Sequence, residues 1–99
     1  MTNNLSNTND YFLFLLPVNT RTIKLLVNEL LDMYEYQDSF IYHEYPDKNE
    51  ILRQLETIYA SPTFPDSSDE MKDLAQTIFL YEMLIRRNRY FDIINRDNN

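Results

Sequence analysis

The chain has 99 residues and no glycine. That removes the residue that most readily takes positive φ and lets a backbone approach closely. A phosphate-cradling P-loop, a G-x-G-x-x-G dinucleotide turn and a G-x-S-x-G nucleophile elbow all depend on glycine. None of the three is present. Tight two-residue hairpins also draw on it, so a sheet of short hairpins is disfavoured. Asn19, Asn88 and Asn95 are the expected substitutes where a left-handed residue is needed. A helical fold suits this backbone best.

The stretch from residue 68 to 94 lies within the longest part of the chain free of proline, and it predicts one long helix. Met71, Leu74, Ala75, Ile78, Tyr81 and Ile85 recur at spacings of three and four, the period of an amphipathic helix. From Ile78 to Ile85 only Glu82 is charged, so the helix is apolar nearly all round. Such a helix is either enclosed by others or leaves one face for a partner. Ser67 or Ser68 is placed to cap its start. Asp69, Glu70 and Asp73 suit the positive end of the helix dipole, and Arg86, Arg87 and Arg89 the other end. The three arginines are also a candidate basic patch for phosphate or acidic partners, although dipole complementation and solubility account for them as well. Asn88 marks a point where the helix could break.

Upstream, Ile23, Leu26, Val27, Leu30, Leu31, Met33 and Tyr34 predict a core-facing helix over about 20–36, capped by Asn19 or Thr20. Asp47 and Glu50 form a capping-box-like pair ahead of a helix over about 48–60, with Ile51, Leu52, Leu55, Ile58 and Tyr59 on its apolar face. Pro62 and Pro65 end that helix, and Phe64 between them is expected to dock in the core. The run Tyr11–Leu16 is too short for periodicity to separate strand from helix. A helical turn capped by Asn9 or Asp10 is the reading preferred here. Residues 1–10 are expected to form a flexible polar arm, 11–95 a single domain, and 96–99 a frayed tail.

The segment Gln37–Pro46 concentrates Phe40, Ile41, Tyr42 and Tyr45 around His43, the one histidine. Tyr45 precedes a proline and is biased to extended backbone, so a structured strap is expected rather than a helix. Tyr34 and Tyr45 are read as core. Tyr36 and Tyr42, with Phe40 and His43, are read as candidate interface residues, since tyrosine joins an apolar ring to a polar tip. On the long helix the candidate interface is Phe79, Leu80, Met83, Leu84 and Tyr90.

Catalytic signals are sparse. One histidine rules out a multi-histidine metal site within the chain, and the position four residues after His43 is Asp47, not a second histidine. Without cysteine there is no disulfide or thiolate site. A calcium loop of D-x-[DN]-x-[DN]-G type lacks its glycine. Ser39 lies four residues before His43, but nothing marks an oxyanion hole. No catalytic, metal or cofactor site is therefore expected.

Charge limits the partners. The net charge is −7, with twelve acids against Lys48, Arg53 and Lys72 between Glu29 and Asp73, and four arginines against Asp92 between Arg86 and Arg96. Nucleic acid and anionic membrane would be repelled by the acidic part. No apolar run spans a bilayer, the first ten residues do not resemble a leader, and a cytoplasmic location is expected. The Asn, Ile and Tyr bias is that of an AT-rich genome, bacterial or phage. The sequence thus predicts an all-α bundle of three main helices with a short N-terminal apolar segment packed on it. Its expected role is a non-catalytic interaction or regulatory module, acting through the long helix and the aromatic loop, with a homodimer and a basic protein surface as candidate partners. The alternative is an acidic nucleic-acid mimic that inhibits a basic DNA- or RNA-binding protein, with Glu35, Asp38, Glu44 and Asp47 on one exposed face.

Overall fold

The computed structural model describes residues 5–97. Four α-helices and one 3₁₀ turn follow in order: α1 (Leu5–Leu15), α2 (Val18–Asp32), the 3₁₀ turn (Phe40–Tyr42), α3 (Lys48–Tyr59) and α4 (Asp69–Asp97). There is no strand among the described residues, in line with the missing glycine. Helices α2, α3 and α4 pack on one another, and the 3₁₀ turn packs on α4.

The core is a row from each of α2, α3 and α4. Ile23, Val27 and Leu31 of α2 meet Leu55 and Ile58 of α3 and Ala75, Phe79 and Met83 of α4, with Ile41, Tyr42 and Phe64 from the connections. Burying a large aliphatic or aromatic side chain contributes about 1.5–3 kcal/mol, and Phe79 is the largest side chain that is fully enclosed. Phe64 docks between the two prolines and lies against Tyr59, as expected.

Several boundaries differ from the sequence reading, each for a local reason. Helix α2 starts at Val18 because Pro17 takes the N-cap position and its carbonyl accepts from Arg21 N at 2.9 Å. Neither Asn19 nor Thr20 caps it. It ends at Asp32 rather than near residue 36, where Met33 N and Tyr34 N turn back to Leu30 O and Leu31 O. Asp47 occupies the N-cap position of α3 but makes no side-chain cap. The box does not close, because Glu50 is engaged by Arg53 and Gln54 instead. The Gln54 amide, with Arg53, holds the Glu50 carboxyl below the usual range. Ser68, not Ser67, caps α4, accepting from Met71 N at 3.2 Å. Asp66 in turn accepts from Ser68 N at 2.8 Å, and hydrogen bonding by the Ser68 side chain and backbone lowers its pKa.

The single positive φ among the described residues is at Asp38 (φ 70°), not at Asn19, Asn88 or Asn95. Aspartate tolerates that region because its short polar side chain can bond locally. Helix α4 runs through Asn88 without a break and reaches Asp97. At the other end α1 extends back to Leu5, well ahead of Asn9 and Asp10, into the stretch expected to be an arm. Residues 1–4, 98 and 99 of the expected arm and tail lie outside the described residues.

Helix α1 is held lightly. Leu13 and Leu16 are half-buried toward α2, and Arg21 donates to Phe14 O at 3.3 Å while its guanidinium sits 5.2 Å from the Phe14 ring centre. The radius of gyration is 15.1 Å, above the roughly 13 Å of a compact chain this long. The molecule is a slab, 47 × 44 × 18 Å.

Candidate functional site

The arginines of α4 do not form an open basic patch. Arg86 is buried, and its guanidinium lies 2.8 Å from Asp32, 2.9 Å from Glu35 and 3.3 Å from Glu82. Burial works against its charge, but the three carboxylates more than offset that and raise its pKa. Lys24 reaches the other oxygen of Glu82 at 3.2 Å. Arg89 lies 3.6 Å from Glu35 and stays largely exposed. Arg87 turns to the connection, donating to the carbonyls of Ile41 at 2.7 Å, His43, and Glu44 at 3.4 Å. Neighbouring arginines on one helix thus fasten α2 and the aromatic strap to α4. Nothing in the local sequence distinguishes an arginine that points inward from one in solvent.

The strap is correspondingly inward. Tyr42 is buried, donates its hydroxyl to Glu35 and stacks on Tyr90 with ring centres 3.9 Å apart. Burial, with the Glu35 carboxylate, pushes its pKa up to about 12. Ser39 is fully buried and accepts from Ile41 N at 3.4 Å, shaping the 3₁₀ turn. Phe40 packs edge-on against Tyr34, and both are half-buried.

The sequence-predicted interface residues therefore separate. Tyr42, Phe79 and Met83 belong to the core and Tyr90 is half-covered beneath Tyr42, so these four are not available surface. Tyr36 and His43 are exposed, and His43 Nε2 lies 3.3 Å from Asp38 O. Tyr45, expected in the core, is 85% exposed because the chain is already turning into Pro46. Leu80 and Leu84 are exposed. Glu35 is engaged by Tyr42, Arg86 and Arg89, so it is withdrawn from any acidic face shared with Asp38, Glu44 and Asp47.

What remains open is apolar. Tyr11, Phe12, Phe14 and Leu15 of α1 are each at least 60% exposed, and Leu80, Tyr81, Leu84 and Ile85 of α4 between 41% and 67%. Beside α4 lies a groove of about 290 Å³ lined by Leu16, Ile78, Tyr81 and Ile85 together with Thr20 and the Lys24–Glu82 ion pair. At roughly 200 Å² per ring, the exposed fractions of Tyr11, Phe12, Phe14 and Tyr81 leave on the order of 500 Å² open before any leucine is counted. Soluble monomers rarely expose contiguous apolar patches beyond a few hundred Å². The sequence reading missed α1 as a surface because its apolar run looked like core material. On α4 it grouped Leu80 and Leu84, which are exposed, with Phe79, Met83 and Tyr90, which are covered, because the helix is apolar on both sides.

Among the described residues no three His, Asp or Glu side chains are grouped as a metal site, and no helix is long and apolar enough to cross a membrane. Comparison with family models, curated proteins and solved structures returned no match.

Proposed function

We propose that the chain is a small, non-catalytic protein-interaction module whose working surface is the apolar band of α1 and the outer side of α4. One observation carries this reading. An 11-residue helix is marginal in water by itself, yet α1 turns most of its aromatic surface outward. A partner with an apolar face would cover it. The arginine joints keep α2, the strap and α4 in fixed relation, so the α4 part of the surface is preorganised and association there loses less entropy.

The test places a photo-crosslinking phenylalanine analogue at Phe14, at Tyr81 and, as a control, at exposed Glu56 on α3. Covalent protein adducts in the native cell are expected at the first two sites and not at the third. Absence of any adduct at Phe14 and Tyr81 refutes the proposal.

A further inference from the structure

On α4, Thr77, Tyr81, Leu84, Asn88 and Phe91 recur at spacings of four, three, four and three. That is the heptad spacing of a helix–helix seam. The row lies on the other side of the helix from the buried row Ala75, Phe79 and Met83, and all five of its residues are exposed. One long helix thus carries, opposite its buried row, a second row that is apolar at Tyr81, Leu84 and Phe91 and that the fold leaves uncovered.

We infer that the outer seam is covered by a second copy of this chain, with the two α4 helices antiparallel and Leu84 at the two-fold axis. This rests on the reading of the band as the working surface. Three observations select the occupant and its direction. The seam is centred on Leu84, midway between Thr77 and Phe91, so an antiparallel copy superposes the apolar stretch on itself as an isologous contact requires. The helix is net acidic at its start, where Asp69, Glu70 and Asp73 outnumber Lys72, and net basic later, where Arg86, Arg87, Arg89 and Arg96 outnumber Asp92 and Asp97. An antiparallel pair brings each acidic end toward the other copy's basic end and opposes the helix dipoles, whereas a parallel pair sets like ends together. The area suffices when α1 joins the contact: the open rings of Tyr11, Phe12, Phe14 and Tyr81 with Leu15, Leu80, Leu84 and Ile85 approach the ~800 Å² per partner of a standard interface.

Light scattering on the full chain should give twice 12.0 kDa. Leu84→Glu sets two like charges at the axis and should weaken association about 100-fold or more, leaving a monomer with unchanged far-UV dichroism. Leu84→Ala, which adds no charge, should weaken it less. Because the chain has no cysteine, direction can be read by single-cysteine pairing, which needs Cα atoms within about 7 Å. A mixture of Thr77→Cys and Phe91→Cys chains should form the mixed disulfide, and Leu84→Cys should link to itself. Preferential self-linking of Thr77→Cys would overturn the antiparallel seam. A wild-type monomer at all concentrations would overturn the second copy as occupant. If adducts to another protein still formed at Tyr81, the interaction module would stand without this inference; with no adducts, both would fall.

Discussion

Replacing Arg86 by methionine is the most informative single perturbation of this fold. The side chain of Arg86 is 7% exposed, and its carboxylate partners are graded: Glu82 at 15%, Glu35 at 31% and Asp32 at 69%. The contact with Asp32 is mostly in solvent and is worth no more than about 1 kcal/mol. Glu82 and Glu35 are different. Without Arg86 they are partly desolvated charges, Glu82 keeping Lys24 and Glu35 keeping Tyr42 and the distant Arg89. Removing one partner of a buried pair costs about 3–5 kcal/mol, and the surviving partners put the expected loss near the low end, at about 3 kcal/mol. For a domain of this size that lowers the midpoint of thermal unfolding by about 12–24 °C. Far-UV dichroism on heating and urea unfolding at unchanged slope would measure it. Asp32→Asn should cost under about 1 kcal/mol. Glu35→Gln combined with Arg86→Met should cost less than the sum of the two single changes, since the pair is coupled. A loss under about 1 kcal/mol for Arg86→Met, or equal losses for Arg86→Met and Asp32→Asn, would refute the buried joint.

Other expectations follow from the same geometry. The raised pKa of Tyr42 means the folded state holds its proton more tightly than the unfolded chain, so the associated stability is complete below about pH 10 and is lost as pH rises toward 12. Over that window wild type should lose about 2–3 kcal/mol relative to Tyr42→Phe, and the variant's ultraviolet titration should lack the late phenol. Asn28 Oδ1 is buried without a partner, so Asn28→Leu should raise stability by about 1 kcal/mol in urea unfolding. Ser68→Ala should cost about 1 kcal/mol through the lost cap, while Ser67→Ala should leave the unfolding midpoint unchanged.

Helix positions were largely legible from residue pattern, because proline, serine and the apolar period are local signals. Pro62 and Pro65 closed α3 where expected, and the lack of glycine agreed with an all-α fold. Orientation was less legible. Helix α4 is apolar at Phe79 and Met83 on one side and at Leu80 and Leu84 on the other, so periodicity alone could not say which row faces α2. Only the packing of Ile23, Val27 and Leu31 decides that. The arginine run posed the same difficulty. Arg86, Arg87 and Arg89 read as one basic cluster, yet a turn of helix sends them to three carboxylates, a set of carbonyls, and solvent beside Glu35.

The bond pattern of Arg87 has a consequence for how this sequence can vary. It holds the strap by the main-chain oxygens of Ile41, His43 and Glu44 and by none of their side chains. Every amino acid supplies that oxygen. Positions 43 and 44, both exposed, can therefore change identity while the path of the chain stays anchored. The protein has in effect a small variable segment on a fixed mount, where new surface chemistry can be tried without renegotiating the fold.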